Sequence, residues 1–150
     1  MLVRNVSPED IEEVLELIKG LAIYENEPEA VTNTAAKLHD DLFTHKYCEA
    51  FVAEKDKAII GFALYYTSYS TWKGPCIYLE DLYIMPEHRN AGVGGQLFDA
   101  VVAKARERKA TRMDWQVLDW NESAIQFYKK KTATFEGGWL NGRLFFPENE

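Results

Sequence analysis

The sequence predicts a mixed α/β domain spanning residues 1–150, with a mostly antiparallel central sheet flanked by about four helices, and three observations carry that expectation. Two strand-like runs, Cys48 to Glu54 and Ala58 to Ser68, are separated only by Lys55-Asp56-Lys57, a gap of hairpin size. Apolar residues recur at three and four over Ile11, Val14, Leu15, Ile18, Leu21 and Ala22, and again over Leu97, Phe98, Val101, Val102 and Ala105, the spacing of amphipathic helices. Beyond Cys76 strand and helix patterns alternate, as they must where parallel strands need a crossover. At 150 residues the chain is one ordinary domain, long enough to bury about two-thirds of its unfolded surface without staples.

Leu2 to Val6 reads as the first strand. Ser7-Pro8-Glu9-Asp10 then supplies an N-cap, a proline at the first helical position and two early acids, so a helix should run to about Tyr24. Tyr24-Glu25-Asn26-Glu27 is an acidic connection with one aromatic, and after Pro28 a second helix covers Ala35 to Leu42. The hairpin follows. Tyr69 to Gly74 leads to a fourth strand, Cys76 to Met85, and Trp72 in that loop either caps the core or walls a pocket. The third helix ends near Arg108-Lys-Ala110. Met113 to Val117 reads as a fifth strand, Ala124 to about Lys131 as a helix capped by Asn121 or Ser123, and Arg143 to Phe146 as a closing strand before a frayed Glu148 to Glu150.

Composition removes several classes of function. A net charge of −7 argues against nucleic acid, which is held by clustered Lys and Arg, and leans toward a cationic partner. No apolar run approaches the ~18 residues of a membrane span, and Met1 to Asn5 lacks the apolar core of a secretion signal, so a cytoplasmic protein without a membrane partner is expected. Cys48 and Cys76 lie in apolar strand-like sequence and read as buried thiols. His39, His45 and His88 have no ligand spacing, and no metal is expected.

The most informative stretch is Tyr78 to Gln96, which passes from a strand through a glycine-containing turn into a helix. Pro86 stops the strand, and Gly92 and Gly94 keep side chains away from the join. A helix opening there offers amide N–H groups without intrahelical partners and the positive end of a dipole, both suited to a pyrophosphate. Arg89 adds a positive charge three residues before Gly92. The pattern is neither G-x-G-x-x-G nor G-x-x-x-x-G-K-[ST], so nucleotide hydrolysis is not expected.

Arg89-x-x-Gly92-x-Gly94 resembles the acetyl-coenzyme A loop, Q/R-x-x-G-x-G/A, of the GNAT N-acetyltransferases. Longer words, among them Ile77-Tyr-Leu-Glu-Asp81, Met85-Pro-Glu-His-Arg89, Val117-Leu-Asp-Trp-Asn121 and Phe127-Tyr-Lys129, are similar to the diamine acetyltransferase subfamily over nearly the whole chain. The resemblance implies the GNAT fold, acetyl-CoA as donor and a homodimer. It assigns the pantetheine arm to the backbone of Leu82, Tyr83 and Ile84, and the pyrophosphate to Arg89, Asn90, Ala91, Gly92, Val93, Gly94 and Gly95. Asn121, Glu122, Ser123 and Ala124 are assigned to the cofactor as well. Tyr24, Glu25, Trp72 and Glu80 would line the amine site, with Asp114, Trp115 and Gln116 also touching substrate. Two departures stand out. Asn90 replaces a family glycine after the arginine, and Thr132 stands where the family has a glycine before alanine, a C-cap position that often takes positive φ.

Acetyl transfer to an amine needs a bound donor, an unprotonated nucleophile and a proton for the departing thiolate. A lysine-like amine of pKa ~10.4 is neutral in about one molecule in 2,500 at pH 7, a handicap of ~4.6 kcal/mol. Glu80 is the candidate base, directly or through water, or else a residue that mainly binds the ammonium. Strand alternation sends Glu80 and Asp81 to opposite faces unless the strand is bulged. Tyr128 suits the acid role, since a phenol of pKa ~10 can protonate a thiolate whose conjugate acid lies near ~8.5. The expected function is transfer of acetyl from acetyl-CoA to a thialysine-like or lysine-like amino acid or a polyamine in a ternary complex. A CoA-binding regulatory module without turnover and a protein-lysine acetyltransferase are the competing readings.

Overall fold

Asp56 and Lys57 adopt left-handed φ values of 51° and 67°, the two-residue turn whose twist suits a hairpin, and they join Glu49–Lys55 to Ala58–Ser70. The computed structural model describes every residue, Met1–Glu150, as two compact units, Met1–Trp115 and Gln116–Glu150. In the first unit five strands lie in sequence order: β1 (Leu2–Asn5), β2 (Glu49–Lys55), β3 (Ala58–Ser70), β4 (Gly74–Ile84) and β5 (Met113–Asp114). The first four pair antiparallel; β4 and β5 pair parallel, so the sheet is mixed as expected.

Three helices complete this unit: α1 (Ile11–Tyr24), α2 (Ala35–Phe43) and α3 (Val93–Glu107). Ile11, Val14 and Leu15 of α1 bury with Leu38 and Leu42 of α2 against Val52, Phe62 and Leu64 of the sheet. Phe62 and Leu64 join that cluster, whereas the Cβ direction at Gly61 points to Leu97 of α3, 3.3 Å away. Alternation along β3 therefore puts α1 and α2 on one face and α3 on the other.

Arg4 fixes the start of this arrangement. Its guanidinium bonds both oxygens of the buried Asp10 at 2.8 and 3.0 Å and reaches Glu54 at 2.7 Å, tying β1 to the entry of α1 and to β2. Asp10 also accepts from the Ser7 N–H at 2.8 Å, the side-chain-to-backbone half of a capping box. Removing the cation would leave a buried carboxylate unpaired, at a cost of about 3–5 kcal/mol.

The second unit holds α4 (Glu122–Lys130) and a long connection without regular structure up to a short 3-10 turn at Pro147–Asn149. Two strand expectations fail. The fifth strand is only Met113–Asp114, paired with Ile77 and Tyr78, and Trp115 to Val117 lie outside it. Arg143 to Phe146 forms no strand, and the terminus expected to fray makes the 3-10 turn instead. Leu-Phe-Phe has strand-forming side chains, but a strand exists only where its backbone finds a ladder, and none pairs here.

Candidate active site

The turn between β4 and α3 is built without capping side chains. After a 3-10 turn at Pro86–His88 the chain enters left-handed backbone twice, at Asn90 with φ 67° and at Gly92 with φ 80°. Asparagine tolerates that region better than most residues, which explains how the family glycine can be absent at position 90. Gly92 is the N-cap of α3 and has no side chain to offer. The first helical bond runs from the Gln96 N–H to the Gly92 carbonyl at 3.1 Å, so the N–H groups of Val93, Gly94 and Gly95 precede the ladder. By contrast, Thr34 caps α2 and Asn121 caps α4 with side-chain oxygens. A Cβ at Gly92 would meet nothing within 4 Å, so the chain beside that residue is open. Such a turn fits an external diphosphate.

The outer edge of β4 is open as well. β5 pairs with β4 only at Ile77 and Tyr78, so Leu82, Tyr83 and Ile84 have a strand neighbour on the β3 side alone, opposite Ala63, Phe62 and Gly61. An extended amide-bearing arm can add to such an edge in sheet fashion. Arg89 closes one end of it. Its Nε donates to the Ile84 carbonyl at 2.9 Å, and its guanidinium carbon lies 5.1 Å from the Tyr24 ring centroid and 5.2 Å from that of Tyr83.

β4 is bulged at its acidic pair. Asp81 stands opposite Leu64 and Leu79 opposite Tyr65, which leaves Glu80 without a cross-strand partner. The unbulged alternation therefore does not apply, and the carboxylates sense one another. Asp81 is half-buried and its carboxyl is pushed up to about 7, first by burial and then by the charges of Glu80 and Glu25. Burial raises Glu25 too, while Glu80 is exposed. Asp81 is the perturbed carboxyl beside Glu80 that sequence reasoning passed over; the adjacent Glu-Asp pair was the signal, and the alternation rule discounted it. Glu25 follows Tyr24 directly at the end of α1, so an aromatic and an acid leave that helix together.

Trp72 lies in the β3–β4 turn and is 90% exposed, so it does not cap the core. The hairpin ends that carry it extend past the sheet, and Ser70 Oγ accepts from the Trp72 and Lys73 amides at 3.2 and 3.1 Å to close the turn. Asp114 is held by Arg112 Nε at 2.8 Å, and the half-buried Trp115 meets Phe98 edge-on at 5.4 Å.

In the second unit Asn121 Oδ1 accepts from the Ala124 amide at 3.4 Å and caps α4, settling the choice between Asn121 and Ser123. Glu122 accepts from Gln126 at 2.7 Å, and Ser123 Oγ reaches Asn121 at 3.4 Å. Tyr128 is buried, with the rings of Phe127 and Phe135 at 5.2 and 6.5 Å. The helix ends in a Schellman pair, Thr132 N–H to Lys129 carbonyl at 3.0 Å and Ala133 N–H to Tyr128 carbonyl at 3.2 Å. That geometry forces Thr132 to φ 66°, where the family glycine would sit without strain. Gln116 bonds Asn141 at 2.8 Å.

Residues 11–133 match the family model described as the acetyltransferase (GNAT) family. The thialysine N-epsilon-acetyltransferase of Caenorhabditis elegans is 35% identical, over 93% of this chain and 89% of that protein. A spermidine/spermine N(1)-acetyltransferase-like protein of Homo sapiens is 33% identical, over 91% of this chain and 21% of that longer protein. Among solved structures, the aminoglycoside N-acetyltransferase AAC(6')-Iy in complex with CoA superposes with a TM-score of 0.81 at 19% identity, covering 95% of this chain and 93% of that one.

Proposed function

Because the chain belongs to the acetyltransferase (GNAT) family, we propose that it moves an acetyl group from acetyl-CoA to the primary amine of a small cationic molecule, either a thialysine-like or lysine-like amino acid or a polyamine. The observation that carries this reading is the uncapped start of α3 beside the unpaired edge of β4, on the strand that bears the bulged Glu80-Asp81 pair. The acetylated cofactor supplies a thioester as acyl donor. The amides of Val93, Gly94 and Gly95, with Arg89, Asn90, Ala91 and Gly92, take its diphosphate, and the backbone of Leu82 to Ile84 takes the arm. Asn121 to Ala124 are assigned to the cofactor too. The match to the family model spans both compact units, which supports a single acetyltransferase domain over residues 1–150.

Tyr24, Glu25, Trp72 and Glu80 form the aromatic and acidic lining for the amine, with Asp114, Trp115 and Gln116 as further substrate contacts. Glu80 accepts the ammonium proton, directly or through water, and Tyr128 returns a proton to the departing thiolate. Attack is direct in a ternary complex. Burial and the charges of Asp41, Glu49 and Glu80 push the Cys48 thiol up, and Cys76 is buried, so neither offers an activated nucleophile.

We assign the protein to the cytoplasm, consistent with two free cysteines and no helix long and apolar enough to cross a membrane. A homodimer is the proposed assembly. Trp139 and Leu140 are 84% and 98% exposed in a segment that also exposes Leu144 and Phe145, more apolar surface in one run than a lone chain usually leaves in water. Sedimentation as a monomer at micromolar concentration would remove that assignment.

The deciding experiment is free-thiol release from acetyl-CoA over thialysine, lysine, spermidine and a lysine peptide, with Glu80→Gln as control. Turnover with a small amine, greatly slowed in the variant, is expected. CoA uptake without turnover on any amine points to a regulatory module, and preference for the peptide points to protein acetylation; either result overturns the proposal.

A further inference from the structure

Arg89 belongs to the nucleotide-loop motif, yet its side chain turns back from the loop. Nε is committed to the Ile84 carbonyl at 2.9 Å, and no carboxylate lies within ion-pair distance of the guanidinium. The guanidinium carbon instead stands over two rings, Tyr24 at 5.1 Å and Tyr83 at 5.2 Å. Tyr24 is the last residue of α1, and Tyr83 is buried on β4. The two elements are themselves in close contact, since a Cβ at Gly20 of α1 would come within 2.9 Å of the Tyr83 hydroxyl. One planar cation thus meets the end of a helix, the end of a strand and the entry to the Asn90–Gly92 turn.

From this geometry we propose that Arg89 is a positioning residue that couples the two substrates: by bracing Tyr24 from the cofactor turn, it makes CoA binding tighten amine binding, and the reverse by the same factor. The inference rests on the reading above that Tyr24 lines the amine site. Its physical basis is that Tyr24 is the last residue of α1 and that Glu25 follows it with a charge that reaches Asp81, so whatever holds the ring also sets the acid beyond it. Ligand on the turn orders Asn90 and Gly92, hence Arg89, hence the ring and acid beyond it. Coupling between sites is reciprocal by thermodynamic necessity. Lysine cannot substitute, because it keeps the charge but lacks both the Nε bond in its fixed plane and the flat face that lies on two rings.

The test is calorimetric. Amine affinity is measured with and without saturating CoA for the wild type, Arg89→Lys and Tyr24→Leu, with thermal melting as the folding control. In the wild type CoA should tighten the amine by about fivefold, the lower end of ordinary coupling, because Arg89 is exposed. In Arg89→Lys the ratio should fall to one whatever happens to either affinity alone, a result that general loosening of the fold would not produce. Tyr24→Leu should weaken CoA itself about fivefold, though CoA is assigned no contact there. Adding Arg89→Lys to it should weaken CoA no further than Arg89→Lys alone. A wild-type ratio of one, an undiminished ratio in Arg89→Lys, or CoA affinity untouched by Tyr24→Leu overturns the proposal while acetyl transfer stands. A wild type that takes up no CoA overturns the underlying reading and this one together.

Discussion

Thr132→Gly should stabilise the protein. A β-branched residue at φ 66° is held there only because the Schellman pair that ends α4 demands a left-handed residue. Strain of this kind costs on the order of 1–3 kcal/mol, and glycine removes it. Against that gain, glycine frees the unfolded chain by about 0.4–1 kcal/mol. The Thr132 hydroxyl bond to the neighbouring Lys131 carbonyl is solvent-exposed and weighs little. The balance is a gain of about 1 kcal/mol, or ~2–4 °C in Tm for a chain of this size. Urea and thermal unfolding followed by circular dichroism would measure it, with Thr132→Val as the companion: it keeps the branch, drops the hydroxyl and should gain nothing. If valine stabilises as much as glycine, or if glycine lowers Tm, the strain argument is wrong.

Other variants probe the site directly. A carboxyl raised from its ordinary 3.8 to about 7 binds its proton in the folded protein while the unfolded chain has lost it, so stability falls as pH rises through that window and the full cost applies above it. Asp81→Asn should therefore raise Tm at pH 8 and leave it unchanged near pH 4; the ceiling is ~4 kcal/mol, reduced by solvent to about 1–2. Equal gains at both pH values would contradict the raised carboxyl. Tyr128→Phe should lower kcat about 100-fold while calorimetry finds CoA affinity unchanged, and full activity would take the tyrosine out of the acid role. Salt should weaken CoA binding in the wild type, since on the proposed reading a diphosphate would face amide dipoles at the turn within the positive field of the nearby, exposed Arg89; insensitivity up to 0.5 M would argue that another part of the cofactor is gripped.

What could be read beforehand was local. The Lys55-Asp56-Lys57 hairpin, the stripe from Ile11 through Leu15 and the strand-turn-helix around Gly92 each follow from spacing within a few residues, and all three are present. What escaped depends on partners far along the chain. Arg4 meets Glu54, fifty positions away, and the bulge at Glu80 exists only in register with Leu64 and Tyr65. That bulge changed the chemistry, because it made Asp81 a companion of Glu80 and Glu25 rather than a residue on the other face. Arg143 to Phe146 failed as a strand, and the sequence left Trp72 open between core cap and pocket wall, for a related reason: aromatic and branched side chains signal burial or pairing, but only the folded sheet decides whether a partner is within reach. At Thr132, in contrast, the departure from the family pattern already pointed to a left-handed position, while Asn90 was noted as a departure and only the structure shows it left-handed as well.

On the proposed reading, the bare amides opening α3 grip the diphosphate of coenzyme A. Calorimetric titration of CoA into folded protein tests it most directly, beside Gly92→Val, which keeps the helix sequence but cannot adopt φ 80° without strain. Saturable heat with the wild type and at least a tenfold weaker Kd for the variant is the predicted outcome. No heat at millimolar CoA, or an unchanged Kd in the variant, would contradict it.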